Sequence, residues 1–281
     1  MSGRTRRLAS PLAQSSDVPD DVRTLLLITF LGATGTAIAT GLGALPFFLV
    51  RTLPTRLNGA VVALSAGMMG AASVMLCIEG LEASVLPAAI DLVLGIAGGA
   101  VFFHLSERWL QGHEEFDLAG LRRKGGLAAL LIVAAMTVHS LPEGVAVGVA
   151  FGSGDSSDMT FGWAICIAIA VHNVPEGLAI ALALRSQGIG PMTCVGWAIF
   201  TSLPQPIAAV PAAWLVWIFE PLLGAGMGFA AGAMFVLVVR HLIPDARRDA
   251  GSRWTSGGIV GGAAMMLALM QATAWIAGTI G

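Results

Sequence analysis

Charged residues are scarce in this chain of 281 residues. Only 11% of the residues are Asp, Glu, Lys or Arg, whereas 56% are hydrophobic, and the mean hydropathy is +0.82. A soluble domain carries about 25% charged residues, because its surface has to be solvated. The composition therefore excludes a soluble globular protein and predicts a protein that lies in a lipid bilayer.

Cysteine is also rare, and the motifs of several protein classes are missing. The three cysteines (Cys77, Cys166 and Cys194) lie inside apolar runs, which argues against a disulfide framework. No His-Glu-x-x-His sequence occurs, so an intramembrane metalloprotease is disfavoured. No ATP-binding motif occurs, and no sizeable soluble domain is present that would carry the signal of a metal sensor or receptor. We therefore expect a transporter, and not an enzyme, that is driven by ion gradients, membrane potential or downhill flow.

Long apolar runs dominate the sequence. A helix needs about 20 apolar residues to cross the hydrocarbon core, and no alternating pattern typical of a membrane β-barrel is present. The runs predict eight spans, at 24–50, 58–80, 85–108, 126–152, 159–185, 192–218, 221–243 and 255–280. The 36 glycines would weaken soluble helices but let membrane helices pack closely. We predict an all-α integral membrane protein with eight transmembrane helices in a bundle: a single transport domain at 24–281 after a disordered polar tail at 1–23.

The basic residues of the loops all fall on one side of the predicted membrane protein. They are Arg51, Arg56, Arg108, Arg122, Arg123, Lys124, Arg185, Arg240, Arg247, Arg248 and Arg253. The opposite loops hold the acidic residues Glu79, Glu82, Asp155, Asp158 and Glu220, with Asp91 near the same surface. The positive-inside rule makes the basic side cytoplasmic, although Arg4, Arg6, Arg7 and Arg23 of the tail oppose it. We expect a multi-pass protein of the inner membrane with both termini outside.

A polar motif occurs twice within the apolar spans. His139-Ser140-Leu141-Pro142-Glu143-Gly144 lies in the fourth span, and His172-Asn173-Val174-Pro175-Glu176-Gly177 lies 33 positions later in the fifth. In each copy His and Glu are four residues apart, so both lie on one helix face. An ionised side chain at membrane depth costs several kcal/mol unless it is paired or coordinated. The alternative is that each His–Glu pair only forms a packing hydrogen bond, but two matching copies favour a functional site.

The chemistry of the motif fits a divalent transition metal. Neutral imidazole and carboxylate are ligands of Zn²⁺ and its first-row neighbours, and two glutamates balance a double charge. Proline within a helix removes a backbone hydrogen bond, so Pro142 and Pro175 predict kinks in the fourth and fifth helices. Pro204, Pro206 and Pro211 predict an irregular sixth helix. Gln205, between two of these prolines, is predicted to be a metal ligand or a hydrogen-bond donor to one.

These motifs resemble those of the ZIP family of metal transporters, whose fourth and fifth segments carry His-Asn-x-Pro-Glu-Gly-like sequences. Weaker similarity occurs at 65–69 (Ser-Ala-Gly-Met-Met) and at 241–245 (His-Leu-Ile-Pro-Asp). The resemblance implies a set of metal ligands: His139, Glu143, His172 and Glu176, with Met69, Asn173 and Gln205 as further candidates. The chain departs from the family pattern at Ser140, where Asn is usual, and at Gln205 and His241, where Glu is expected. Because the departures remove negative charge, we predict one transported metal ion per protomer.

Two further groups of polar residues are weaker candidates. His113, Glu114 and Glu115, in the loop at 109–125, either collect metal on the cytoplasmic side or form an ordinary solvated loop. Near the inner ends of their spans lie His104, Glu107, His241 and Asp245. This second group either lines an exit path or is interfacial.

The sequence thus predicts uptake of a divalent metal by alternating access through a site at the membrane midplane. Zn²⁺ is the first candidate for this metal, and Fe²⁺, Mn²⁺ and Cd²⁺ are the alternatives. The metal is the transported substrate, and we expect no resident cofactor. We expect no nucleic acid partner, and a homodimer is the hypothesis for assembly. The alternative function is a proton-coupled transporter of another small solute, because buried His and Glu also form proton relays.

Overall fold

The computed structural model describes residues 20–50, 53–112, 121–153, 159–219 and 221–280. Most of the predicted polar tail lies outside these residues, as do His113, Glu114, Glu115, Asp155, Asp158 and Glu220. Within the described ranges the chain is helical apart from short connections, and no strand occurs there. The fold is therefore all-α, as predicted.

Ten α-helices occur in the described ranges, joined by shorter helical turns. They are α1 (Asp20–Leu42), α2 (Thr55–Glu82), α3 (Ile90–Gly112), α4 (Leu121–Gly152), α5 (Thr160–Ser186), α6 (Pro191–Ser202), α7 (Pro204–Ile218), α8 (Leu222–Leu237), α9 (Ile243–Ala250) and α10 (Ser252–Ile280). The turns are 3-10 helices at Leu45–Phe48 and Pro87–Ala89 and a π-helix at Val238–Leu242.

Eight helical segments among the described residues are long and apolar enough to cross a membrane, which confirms the predicted number of spans. They are Asp21–Phe48, Thr55–Glu82, Pro87–Trp109, Val133–Gly152, Thr160–Arg185, Pro191–Ile218, Leu222–Ala250 and Ser252–Thr273. Many large hydrophobic side chains on their outer faces are exposed, which in a bilayer places them against lipid.

Proline interrupts the sixth span but not the fourth or fifth. The sixth span consists of α6 and α7, which meet at Leu203 directly before Pro204. Its predicted irregularity is thus confirmed. In contrast, α4 continues through Pro142 and α5 continues through Pro175. The kinks in those two helices stay predictions.

The seventh span is longer than predicted. It runs through a π-helical turn at Val238–Leu242 and continues as α9 to Ala250, whereas the apolar run ends at 243. Gly251, with a φ of 77°, then reverses the chain into α10. This left-handed conformation favours glycine, because a Cβ would clash with the backbone. The predicted loop between the last two spans is therefore reduced to a single residue.

The helices form two packed groups. One group contains α1 with α4, α5, α6 and α7; the other contains α2 with α3, α8, α9 and α10. The groups meet chiefly where α4 packs on α8 and where α5 packs on α2 and α10. Because both copies of the motif lie on α4 and α5, the polar site is in the first group and close to the boundary between the two.

Candidate metal centre

Three residues of the repeated motif come together in the protein interior. One ligand atom from each of Glu143, His172 and Glu176 lies within 4.8 Å of the others. The side chains of Glu143 and His172 are fully buried, and Glu176 is 6% exposed. Two carboxylates and an imidazole at this spacing could hold one divalent metal ion, because each supplies a lone pair that Zn²⁺ accepts. The site thus combines both copies of the motif, one residue from α4 and two from α5.

The hydrogen bonds of Glu143 cross between helices. Nε2 of His172 lies 3.2 Å from Oε1 of Glu143. Nε2 of Gln205, on α7, lies 2.6 Å from Oε2 of the same carboxylate. Where Nε2 of His172 carries the proton and donates it to the carboxylate, Nδ1 holds the free lone pair. The alternative in which His and Glu pair within each motif is not observed among the described residues.

Glu176 is buried without a hydrogen-bond partner in the described part of the chain. Both of its carboxylate oxygens are buried and accept no hydrogen bond from these residues, and Nδ1 of His172 is also buried without a partner. Glu176 lines a cavity of about 30 Å³, and Met69 and Ser65 of α2 line the same cavity. A buried polar atom without a partner is costly, so such atoms frequently mark a place where a ligand binds. Met69 thus lines the same cavity as Glu176, and its role as a thioether ligand stays a prediction.

The amides of Asn173 and Gln205 are bonded to helix α1 through Thr36. Nδ2 of Asn173 lies 2.9 Å from the carbonyl oxygen of Thr36 and 3.2 Å from Oε1 of Gln205. The hydroxyl of Thr36 lies 2.5 Å from the same oxygen of Gln205. All three side chains are fully buried. Sequence reasoning missed Thr36, and its only signal is a polar residue within an apolar span.

His139 lies apart from the other motif residues. Its ring stacks on Phe103 of α3, with the ring centroids 5.0 Å apart, and it does not belong to the group formed by Glu143, His172 and Glu176. It lines a second cavity of about 630 Å³ together with His241, Asp245 and exposed Arg248. This cavity opens at the basic end of the bundle and shares wall residues with the cavity at Glu176. The ligand role of His139 stays a prediction.

An ionic cluster lies next to this second cavity. Glu107 of α3 contacts Arg240 at 3.2 Å and His241 at 3.1 Å, and both partners lie in the π-helical turn. Nη1 of Arg240 is also 3.0 Å from Nδ1 of His104. Of the inner-end residues singled out in the sequence, His241 and Asp245 thus line the cavity, whereas Glu107 and His104 bond to Arg240.

The glycine of each motif permits a close helix contact. A Cβ on Gly144 would lie 2.4 Å from the carbonyl oxygen of Gln205 on α7. A Cβ on Gly177 would lie 1.7 Å from the carbonyl oxygen of Thr40 on α1. Both distances are far below a normal contact, so only glycine allows these backbones to meet. The motif glycines therefore allow α7 to contact α4 next to Glu143 and α1 to contact α5 next to Glu176.

Several known proteins are similar to this chain in sequence. A family model described as ZIP Zinc transporter matches residues 111–270, which include both motifs. Zinc transporter GufA of Myxococcus xanthus is 33% identical over 243 residues, covering 82% of this chain and 93% of that protein. Zinc transporter ZIPB of Bordetella bronchiseptica is 35% identical over 255 residues, covering 85% and 78%. The Arabidopsis thaliana protein At3g08650 is 38% identical over 214 residues, covering 76% of this chain but only 34% of that larger protein.

Proposed function

The chain belongs to the ZIP zinc transporter family, and on that premise we propose that it carries Zn²⁺ into the cytoplasm by alternating access. This family is one of transporters and not of enzymes. Eight apolar helices make the chain a multi-pass membrane protein. The metal is the transported substrate, and the proposal concerns which metal is carried, where it binds and in which direction it moves.

The observation that carries the proposal is the buried group of Glu143, His172 and Glu176, whose ligand atoms lie within 4.8 Å of one another. We propose these three residues as the metal ligands. Met69 could add a thioether from across the small cavity. Imidazole and thioether favour Zn²⁺, Fe²⁺ or Cd²⁺ over hard ions, whereas carboxylates alone would suit Mn²⁺ or Mg²⁺ better. Zn²⁺ is therefore the preferred substrate in the proposal.

The direction of transport is supported by the positions of the two cavities. The cavity at Glu176 adjoins the larger cavity that ends at Asp245 and Arg248. Because loop cations are retained on the cytoplasmic side, the larger cavity is the exit for the ion. His139 and His241 line this cavity and offer weak intermediate contacts to a departing metal. The location in the inner membrane, the outward termini and the homodimer stay predictions.

The alternative function, proton-coupled transport of another small solute, is less well supported. Such a transporter needs buried His and Glu for a proton relay but has no reason to bring three ligand atoms within 4.8 Å of one another. A cavity of about 30 Å³ at Glu176 accommodates a single water molecule or metal ion and no organic solute. The size of the site therefore favours a metal.

The test is uptake by the purified full chain in proteoliposomes that contain a zinc-sensitive dye. We expect saturable Zn²⁺ uptake that Cd²⁺ and Fe²⁺ inhibit more strongly than Mn²⁺. The variant Asp21→Ala, which removes an exposed acidic residue at the start of α1, controls for a general loss of negative charge. Liposomes that show proton flux but no metal uptake would instead favour the alternative function.

A further inference from the structure

The oxygen Oε2 of Glu143, which faces away from His172, is covered by the amide of Gln205. The two atoms, Oε2 and Nε2, are 2.6 Å apart. A side-chain amide has an oxygen and a nitrogen of similar size, so its orientation has to be deduced from its other partners. The orientation decides the role of Gln205, because the oxygen could bind a metal ion whereas the nitrogen can only donate protons.

The orientation follows from a backbone atom of α1. The carbonyl oxygen of Thr36 can only accept a hydrogen bond, so the Asn173 atom 2.9 Å from it must be the nitrogen Nδ2. The same nitrogen lies 3.2 Å from Gln205 and must face the oxygen Oε1 there. The remaining atom of the Gln205 amide, which faces Glu143, is therefore the nitrogen.

The hydroxyl of Thr36 supports this orientation but does not decide it. It lies 2.5 Å from Oε1 of Gln205 and also 2.7 Å from the carbonyl oxygen of Ala33, so its single proton is shared between two acceptors. The orientation of the Asn173 amide is fixed independently, because the carbonyl oxygen of Thr36 can only accept a hydrogen bond. Asn173 is thus the residue that transmits the orientation from the backbone to Gln205.

We propose that this chain of hydrogen bonds, from the Thr36 carbonyl through Asn173 to Gln205, limits the site to one metal ion. A carboxylate can bridge two cations, one on each oxygen. In this chain the Oε2 side of Glu143 is occupied by an N–H group held in place by fully buried residues. A cation there would face amide protons, which repel it, and no carboxylate replaces them. Only the Oε1 side, next to His172 and Glu176, stays available to metal.

This inference rests on the proposed function and assigns new roles to predicted ligands. Gln205 acts as a positioning residue for Glu143 and not as a metal ligand. Asn173 orients Gln205 through its nitrogen Nδ2, whereas its oxygen Oδ1 is buried without a hydrogen-bond partner among the described residues. Thr36 joins them through its backbone. The consequence for specificity is that the ion meets two carboxylates and an imidazole without the amide oxygen of Gln205, a ligand set that favours Zn²⁺ over Mn²⁺.

The first experiment measures metal stoichiometry and affinity on purified full-length variants, using Zn²⁺ and Cd²⁺ as probes. Gln205→Met removes the N–H donor and supplies no oxygen, so we expect one ion and a loss of Zn²⁺ affinity of about 10- to 100-fold, because a group that positions a ligand has been removed. A loss as large as that of Glu176→Ala, measured in parallel, would show that Gln205 is itself a ligand and would overturn the proposal. Gln205→Glu places a carboxylate beside Oε2 of Glu143, and we expect a second bound ion. A single ion in this variant would equally overturn it.

The second experiment tests the orienting role of Asn173. Asn173→Leu releases the Gln205 amide, whose oxygen can then turn towards the ion, so we expect Mn²⁺ affinity relative to Zn²⁺ to rise by at least about threefold. Thr40→Val is the matched control, because it removes a buried 2.7 Å hydroxyl bond between α1 and Ser202, one turn further along α1. The control should leave the ratio unchanged. An unchanged ratio in folded Asn173→Leu, or an equal change in both variants, would contradict the orienting role.

Gel filtration of the variants and the metal stoichiometry of the wild-type protein distinguish failure of this proposal from failure of the proposed function. If Asn173→Leu does not fold, as judged by gel filtration in detergent, the two Gln205 variants decide, because they retain Asn173. Wild-type protein that binds neither Zn²⁺ nor Cd²⁺ would mean that the proposed function fails. Wild-type protein that binds two ions would leave the function intact and overturn only the limit of one ion.

Discussion

Nε2 of His172 lies 3.2 Å from Oε1 of Glu143, so the second copy of the motif bonds to the first. The bond joins α5 to α4 at membrane depth, where water does not replace it. Each copy is therefore incomplete alone: the first supplies Glu143, and the second supplies His172 and Glu176. Loss of the ligands of either copy should therefore destroy the site.

Glu143→Ala and Glu176→Ala should each abolish Zn²⁺ uptake, because either change removes a charge that balances the ion. Expression and membrane insertion should stay normal. Uptake into proteoliposomes, corrected for the amount of inserted protein, is the measurement, with Asp21→Ala as the control. Normal uptake by either glutamate variant would show that the two residues do not form one shared site.

His172→Ala and His139→Ala should differ in their effect on binding. Only His172 lies within the group of candidate ligands, whereas His139 lies against Phe103 at the wall of the larger cavity. We expect His172→Ala to weaken Zn²⁺ binding by at least about tenfold and His139→Ala to have a smaller effect on binding than on transport rate. Equilibrium competition with a zinc chelator measures the first effect. Equal losses of affinity would mean that His139 also contacts the bound ion.

Acidification should weaken metal binding. Protons and metal compete for the same lone pairs on imidazole and carboxylate, so binding a metal ion releases the protons that occupied them. At most, each released proton lowers the apparent affinity by about tenfold per pH unit below the pKa of its group. Zinc titrations of the purified protein at pH 7.5 and 5.5, with a pH indicator in weak buffer, measure both quantities. Equal affinities without proton release would contradict binding by His172 and Glu176.

Gly177→Ala should destabilise the protein. The added methyl group would lie 1.7 Å from the carbonyl oxygen of Thr40, which belongs to a helix backbone and cannot turn away. Forcing helices apart in a packed core costs about 1–3 kcal/mol. Thermal unfolding in detergent should show a lowered midpoint relative to Gly196→Ala, where the methyl group has no neighbour within 4 Å. Equal midpoints would show that α1 and α5 separate without cost.

The orientation of the chain can be tested by cysteine labelling. We expect a cysteine near residue 118 to be protected from an impermeant reagent in intact cells, because the basic loops lie inside. A cysteine near residue 156 should be labelled. Both are placed in a background without Cys77, Cys166 and Cys194. Labelling near 118 with protection near 156 would reverse the predicted topology.

The sequence predicted the spans well because the thickness of the bilayer fixes the length of an apolar run. It did not predict the end of the seventh span. There α9 carries Arg247 and Arg248 and is too polar to continue an apolar run, although the helix itself goes on to Ala250. The π-helical turn before it is followed closely by Pro244, which has no N–H to bond to the preceding turn, so the sequence does carry a signal for this irregularity. The continuation of the helix to Ala250 has no such signal, because hydropathy records polarity and not helix length.

At the site, the position of the motifs within apolar spans predicted that their polar residues are buried. The spacing within each motif did not predict which of these side chains come into contact. His139 and Glu143 lie on one face of α4, yet one faces the larger cavity and the other the metal centre. The role of Gln205 depends on Thr36, which is 169 positions away in the chain. An amide orientation set by a distant backbone carbonyl has no signature in the motif, so the sequence alone does not distinguish a metal-ligating Gln205 from one that donates a hydrogen bond.

The contacts of the two motif glycines also imply an inverted symmetry of the whole bundle. Gly144 brings the fourth span against the sixth, and Gly177 brings the fifth against the first. The spans can be paired as fourth with fifth, first with sixth, second with seventh and third with eighth. When the members of each pair are exchanged, the contact of α3 with α8 becomes the contact of α10 with α2, and both contacts are present. Spans exchanged in this way cross the membrane in opposite directions, so we expect a pseudo-two-fold axis in the membrane plane, with Glu143 and Glu176 as counterparts. In such a bundle, exchanging the conformations of the two halves converts an inward-facing arrangement into an outward-facing one. We expect the transporter to return to its outward-facing state in this way.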